Sequence, residues 1–118
     1  MMRATVTRVS DVVLVCLSGR IEIEKSKALK RVLMKDYKET KMVFCLKELS
    51  FVGSYGLTLF MQVLQDLNKE NLCTIKISGA TRDIQFLMDS CEIIFPKFQT
   101  IDQALKAFMA ETNPSFPG

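Results

Sequence analysis

The order of apolar segments along the chain most constrains its fold. After two strand-like runs near the N-terminus, segments with helical spacing alternate with short apolar runs that are typical of buried strands. Strands that alternate with helices of this length require a largely parallel sheet, because a crossover helix must return the chain to the start of the next strand. The sequence therefore predicts a single α/β domain with the element order β-β-α-β-α-β-α-β-α.

The strand predictions rest on apolar runs bounded by turn residues. Arg3–Val9 alternates weakly, and Ser10 with Asp11 supplies a turn before the run VVLVCL, so an antiparallel N-terminal pair is predicted. The runs KMVFCLK and LCTIKIS and a brief segment at Ile94–Phe98 predict three further strands. The expected sheet is mixed and mostly parallel.

Apolar residues at helical spacing predict four helices, the first at about Lys25–Tyr37. Thr100 and Gln103 are predicted to form a capping box at the start of the last helix. The domain is expected to span 1–110, followed by a frayed tail at 111–118. The predicted inward residues, in helix order, are Ala28, Leu29, Val32, Leu33 and Tyr37; Leu57, Phe60, Met61, Leu64 and Leu67; Ile84, Leu87 and Met88; and Ala104, Leu105 and Phe108.

The absence of histidine excludes several classes of chemistry. Because the 118-residue chain contains none, neither a Ser-His-Asp nor a Cys-His relay can form, and histidine-based metal sites are excluded. The segment GSYG differs from the G-x-S-x-G elbow of hydrolases, and no G-x-x-x-x-G-K-[ST] motif for nucleotide phosphates is present. We therefore expect a protein that is not an enzyme and needs no cofactor.

Charge, hydropathy and cysteine content indicate which partners and which cellular compartment to expect. The formal net charge of +3 is too small by itself to indicate nucleic-acid binding. The apolar run Val12–Leu17 is far shorter than the ~20 residues that cross a bilayer, and the opening residues lack a signal-peptide segment, so we expect a cytoplasmic protein without membrane insertion. The four cysteines are expected to be reduced, and mostly buried: Cys16, Cys45, Cys73 and Cys91.

Ser54 lies in a turn between a predicted strand and a predicted helix, together with Gly53, Tyr55 and Gly56. In open α/β sheets, ligands and partners gather at the carboxyl ends of parallel strands, where loops meet helix N-termini. Two roles stay open for the Ser54 hydroxyl: it could cap the helix, or it could accept a phosphate where a partner docks. Tyr55 could anchor an interface or pack over the helix start.

Three segments resemble the STAS domain family of anti-sigma-factor antagonists. The central segment, VFCLKELSFVGSYGL, resembles the family's apolar strand and the Asp-Ser-Ser-Gly-Leu motif that opens the next helix. The segment LSGRIEIEKSKALKRVL resembles the family's approach to its first helix, and ISGATRDIQFLMDSCEIIFPKFQTIDQAL is similar to its closing strands and helices. Together these similarities cover nearly all of residues 3–110.

The resemblance implies a non-enzymatic binding module. In the antagonist branch, a serine kinase that is also an anti-sigma factor binds the domain and phosphorylates the first serine of the motif, and the phosphorylated form releases that partner. Ser54 matches this serine, whereas Gly56 and Leu57 match the family glycine and leucine. The implied partner-binding residues are Glu22, Gly53, Ser54, Tyr55, Gly56, Leu57, Gly79 and Ala80.

The chain also departs from the family pattern. Gly53 and Tyr55 replace the aspartate and the second serine, Glu22 replaces a usual aspartate, and Cys45 replaces a polar residue of the middle strand. These departures keep a second interpretation open, namely a constitutive scaffold subunit of a larger assembly, stressosome-like or lipid-transport-like, without a covalent switch. A homodimer also stays open.

Overall fold

The computed structural model describes residues 2–50, 53–90 and 95–112, with the main chain alone for 53–55 and 112. Its element order confirms the predicted sequence of strands and helices. The elements are β1 (Arg3–Val9), β2 (Val12–Arg20), α1 (Ile23–Asp36), β3 (Lys41–Ser50), α2 (Gly53–Glu70), β4 (Thr74–Ser78), α3 (Arg82–Asp89), β5 (Lys97–Phe98) and α4 (Ile101–Thr112).

The described strands form one five-stranded sheet in the order β1-β2-β3-β4-β5. β1 is antiparallel to β2, and every later pair is parallel, so the predicted mixed sheet is confirmed. β3 lies at the centre, and Met42, Val43, Phe44 and Leu46 are fully buried along it. Such burial on both faces is typical of a parallel strand covered by helices on both sides.

Helices cover both faces of the sheet, but unequally. The larger apolar core contains residues of α1, α2 and α3 packed on one face, and the rings of Phe44 and Phe60 meet edge to face there with centroids 6.1 Å apart. The smaller core joins Val12 and Val43 of the sheet to Ala104 and Phe108 of α4 on the other face. Among the described helices only α4 covers that second face, and Leu14 and Cys16 of β2 are partly exposed there.

The inward face of α2 is confirmed, since all five of its predicted residues are buried in the larger core. The prediction for α1 is wrong in part: Leu29 and Leu33 are buried, but Ala28 is exposed and Val32 is 50% exposed. Ala28 and Val32 instead line a shallow groove beside the edge strand β1. A helix at the edge of a sheet buries a narrower stripe than one over its centre, which explains the difference.

One of the capping bonds of α4 and its C-terminal end differ in detail from the prediction. Thr100 caps the helix as expected, because its Oγ1 accepts the N–H of Gln103 at 3.1 Å. The reciprocal bond runs to the preceding residue, since Oε1 of Gln103 accepts the N–H of Gln99 at 3.0 Å instead of that of Thr100. The helix continues through Thr112, so Glu111 belongs to the folded part of the chain. Residues 113–118 lie outside the described part.

An ion pair between the buried Lys76 and the half-exposed Glu111 holds the end of α4 to the sheet. Lys76 projects from β4 under α4 and its side chain is only 4% exposed. Its Nζ lies 2.6 Å from Oε2 of Glu111 and 4.6 Å from the ring centroid of Phe108. The ammonium is therefore kept from water by a carboxylate and an aromatic face, the two kinds of group that stabilise a poorly hydrated cation.

We expect Glu111→Gln to lower the free energy of unfolding by about 1–2 kcal/mol, because Lys76 would keep a poorly solvated charge without its carboxylate. Urea denaturation at neutral pH measures this change. Lys106→Gln is the control on the same helix: it breaks a pair with Asp102 at 3.2 Å in which both side chains are exposed, and we expect a change below about 0.5 kcal/mol. Equal losses in the two variants would contradict the proposed importance of the pair between Lys76 and Glu111.

Candidate functional site

The residues predicted to bind a partner come together at one edge of the sheet. β2, β3 and β4 are adjacent and parallel, so their carboxyl ends share that edge. Glu22 follows β2, Gly53–Leu57 opens α2 after β3, and Gly79 with Ala80 follows β4. The fold therefore places three separate segments at the position where open α/β sheets commonly bind ligands and partners.

Ser54 is the second residue of α2, and its main chain is helical. A capping serine occupies the position before the first helical residue, so the helical main chain of Ser54 argues against the capping role. The side chains of Gly53, Ser54 and Tyr55 lie outside the described residues, which leaves both roles of Tyr55 open. The first turn of α2 carries no acidic residue, and its free N–H groups and helix dipole favour a negative charge there.

Gly56 and Leu57 differ in what they can offer a partner. The side chain of Leu57 is 1% exposed and belongs to the larger core, so it positions α2 and cannot itself contact a docking protein. Gly56 is half-buried in the helix, and a Cβ atom added to it would meet Cγ2 of Ile21 at 3.8 Å, an ordinary contact. The fold therefore does not require a glycine at this position.

Glu22 has a structural function that the sequence did not reveal. It is the residue preceding α1, with extended backbone angles, and its own side chain does not cap that helix. Instead, Oε2 of Glu22 accepts the main-chain N–H of Met2 at 2.9 Å. The carboxylate thus ties the start of the chain to the loop after β2, and any partner contact would share the half-buried group with this bond.

Gly79 occupies a position that other residues adopt only with strain. Its φ is +70°, and a Cβ atom added to it would lie 2.9 Å from Cβ of Lys47. The lack of a side chain lets the end of β4 lie directly against the end of β3. Gly79 and Ala80 line a cavity at this edge of the sheet, beside the start of α4.

Two cysteines lie next to this cavity. Cys16 of β2 and Cys45 of β3 are directly paired in the parallel register, and both are half-exposed. Burial raises the pKa of the Cys16 thiol, and the neighbouring Cys45 raises it further. Such a thiol is protonated at neutral pH and is a weak nucleophile.

The cysteines are predicted from the sequence to be reduced and mostly buried, and three of the four lie in the described residues. Cys73 is buried as expected, and its Sγ donates to the carbonyl oxygen of Tyr37 at 3.2 Å. Cys91 lies outside the described residues. Within the part of the chain that the structure describes, no group of three acidic or thiol side chains could hold a metal ion, and no helix is long and apolar enough to cross a membrane.

Comparison with protein-family models identifies the domain type. The model of the STAS domain matches residues 3–104. The chain belongs to the STAS domain family. No curated protein matches it significantly, whereas several solved structures do.

Several solved structures that resemble this chain are those of anti-sigma factor antagonists. An anti-sigma factor antagonist from Mycobacterium paratuberculosis is 28% identical, with a TM-score of 0.66 over 91% of this chain and 93% of that one. SpoIIAA, an anti-sigma factor antagonist, matches in its unphosphorylated form with a TM-score of 0.71, 12% identity and coverage of 92% and 97%. The phosphorylated Bacillus form of SpoIIAA matches at 0.67, with 14% identity and coverage of 90% and 99%.

A stressosome structure, described as a signal integration and transduction hub, also contains a chain with the same fold. Its TM-score is 0.71 at 11% identity, over 92% of this chain and 98% of that one. The STAS fold and the resemblance to an anti-sigma factor antagonist are therefore confirmed. Because their sequence identities are low, the matches to SpoIIAA and to the stressosome chain show the fold alone.

Alanine substitutions at Gly79 and Gly56 test the different structural roles of these two glycines. We expect Gly79→Ala to lower the free energy of unfolding by about 1–3 kcal/mol, because its positive φ and the close Cβ of Lys47 both oppose a side chain. We expect Gly56→Ala to raise that free energy by up to about 1 kcal/mol, because alanine favours the helix and fits beside Ile21. Thermal and urea denaturation measure both changes. Destabilisation by Gly56→Ala would contradict the space found for a Cβ atom between α2 and Ile21.

Proposed function

We propose that this STAS domain acts as a phosphorylation-switched antagonist, which binds an anti-sigma factor that is also a serine kinase and is released when Ser54 is phosphorylated. The observation that carries the proposal is the position of Ser54. It lies in the first turn of α2, a helix of 18 residues, at the edge where the loops after β2 and β4 also end. A partner docked at this edge would cover the serine and both loops together.

The position suits a phosphate electrostatically. A phosphoserine adds about −1.5 to −2 charges, and the free N–H groups and helix dipole at the start of α2 favour that charge. No acidic side chain in this turn opposes it. The domain can therefore accept the modification without losing its fold, since the larger core lies deeper along α2.

The same charge would weaken docking. A partner that fits a small neutral hydroxyl must desolvate a bulky dianion after phosphorylation, and an uncompensated buried charge costs several kcal/mol. Each ~1.4 kcal/mol lost reduces affinity tenfold. A single phosphate is thus sufficient to switch the partner off while the sheet and helices stay in place.

The similarity to known antagonists supports this proposal. The Mycobacterium paratuberculosis protein is an anti-sigma factor antagonist, and SpoIIAA has been solved both with and without phosphate on the same fold. In this interpretation the domain works by binding and not by catalysis, in the cytoplasm, and it regulates transcription through a protein partner without contacting nucleic acid itself.

A constitutive scaffold is the second candidate. Gly53 and Tyr55 replace the acidic residue and the second serine that the family motif carries, and the residues Gly53 and Cys45 remove two polar groups that usually lie at the partner-facing end. The similarity to a stressosome chain fits a subunit that is held permanently in a larger assembly. In that case the edge residues would bind a neighbouring subunit, and phosphorylation would not control the contact.

Partner capture with Ser54 variants tests the switch. We expect Ser54→Asp to fold normally but to retain at least about tenfold less of the partner captured by Ser54→Ala, because a charge is desolvated at the interface. Tagged variants are compared by affinity capture from the native lysate, and the main captured protein is then titrated against each variant. Ser10→Asp is the control, since Ser10 is exposed in the β1–β2 turn at the opposite end of β2.

The result separates the two candidates. Equal affinities of Ser54→Asp and Ser54→Ala would contradict the switch, and a stable stoichiometric assembly of both variants would support the scaffold. Intact-mass spectrometry of the protein from its native cell gives an independent test. A fraction that carries one phosphate, mapped to Ser54, is expected for the switch and not for the scaffold.

A further inference from the structure

A second feature of the same sheet edge does not involve Ser54, although Gly79 and Ala80 belong both to it and to the proposed docking edge. A cavity of about 440 Å³ opens between the carboxyl ends of β3 and β4 and the start of α4. Cys45 and Ser78 form part of its floor, Gly79 and Lys47 contribute from the strand ends, and the first residues of α4 form its wall. Gln85 of α3 also lines the cavity, so the cavity lies at the end of the sheet, between the start of α4 on one face and α3 on the other.

Ser78 carries a buried hydroxyl group that lacks a hydrogen-bond partner in the described part of the chain, and a ligand in the cavity could supply one. Its side chain is 0% exposed, and its Oγ has no hydrogen-bond partner among the described residues. Nearly all buried polar groups in proteins are hydrogen-bonded, and leaving one unpaired costs free energy. Ser78 is one of the residues that line the cavity. In the parallel register it is paired with Cys45, whose thiol is at best a weak hydrogen-bonding group.

The start of α4 adds hydrogen-bond donors to the same cavity. The first helical bond runs from the N–H of Ala104 to the carbonyl oxygen of Thr100, and the N–H of Gln103 is taken by the Thr100 side chain. The main-chain N–H groups of Ile101 and Asp102 precede these, at a helix end where donors have no partner within the helix. Thr100 and Ile101 both line the cavity, so this helix end faces it.

The charge at the cavity is positive. Lys47 lines it, and within the described ranges no carboxylate pairs with this lysine or lines the cavity. The nearest acidic side chain along α4, Asp102, is exposed and is paired with Lys106. An ammonium group, a helix N-terminus and an unpaired hydroxyl together form the set of groups that binds an oxyanion.

We propose that this cavity binds the carboxylate or phosphate group of a small molecule. The Ser78 hydroxyl and the first N–H groups of α4 donate hydrogen bonds to the oxyanion, and Lys47 balances its charge. Such a ligand would give the domain an input that is independent of Ser54.

Titration of ¹⁵N-labelled protein, followed by amide chemical shifts, tests the site directly. Sodium phosphate and sodium acetate are added separately at fixed pH, with sodium chloride at matched ionic strength as the reference. We expect saturable shifts that cluster at Gly79, Ala80, Ile101 and Asp102. Tighter binding of phosphate than of acetate would identify a phosphorylated ligand, and the reverse order a carboxylate; either supports the site.

Three variants decide which groups bind the anion. We expect Lys47→Gln to weaken binding about tenfold and Ser78→Ala by about threefold or more, because each removes a group that contacts the anion. Lys38→Gln, an exposed lysine that precedes β3 at the opposite end of the sheet, is expected to change the affinity less than twofold. Ser78→Ala should also raise the stability of the anion-free protein, since it removes an unpaired buried hydroxyl.

The proposal would be overturned if the shifts in phosphate and acetate equalled those in sodium chloride, or if they did not saturate. It would also be overturned if Lys47→Gln bound phosphate as tightly as Lys38→Gln does. Because Ser54 is intact in all of these variants and no partner protein is present, failure of this site leaves the proposed switch unaffected.

Discussion

The central strand β3 sets the geometry on which the rest of the structure depends. It is hydrogen-bonded to a parallel strand on each side, and its middle residues are buried on both faces. Because β2, β3 and β4 run in the same direction, the chain leaves all three at one edge. The serine turn, the loop after β2 and the loop after β4 are neighbours for this reason alone, although they are far apart in sequence.

The two faces of the sheet differ in how many helices cover them and in how much apolar core they bury. Three helices pack over one face and bury most of the apolar core, whereas α4 is the one described helix that covers the other. The ion pair between Lys76 and Glu111 fixes the far end of α4, and its start stands above the ends of β3 and β4, where the cavity lies. The switch site and the anion site therefore share one edge, with Ser54 at the start of α2 and the cavity at the start of α4.

Features with a local periodicity could be predicted from the sequence, and features set by pairing across strands could not. The buried face of α2 follows from its spacing, but the exposure of Val32 depends on how near α1 lies to the sheet edge. Nothing in the chain indicates that Cys16, Cys45 and Ser78 form a row, because only the strand register brings them together. Likewise, the bond from Glu22 to Met2 joins segments whose distance is set by the fold.

The central claim is that partners bind at the carboxyl edge of the three parallel strands. Amide hydrogen exchange of the domain, measured alone and in complex with its captured partner, tests this claim directly. The account predicts slower exchange on binding at Glu22, throughout Gly53–Leu57 and at Gly79 and Ala80, with little change in the α1–β3 connection. Protection confined to the amino ends of the strands, or to the edge strand β1, would contradict it.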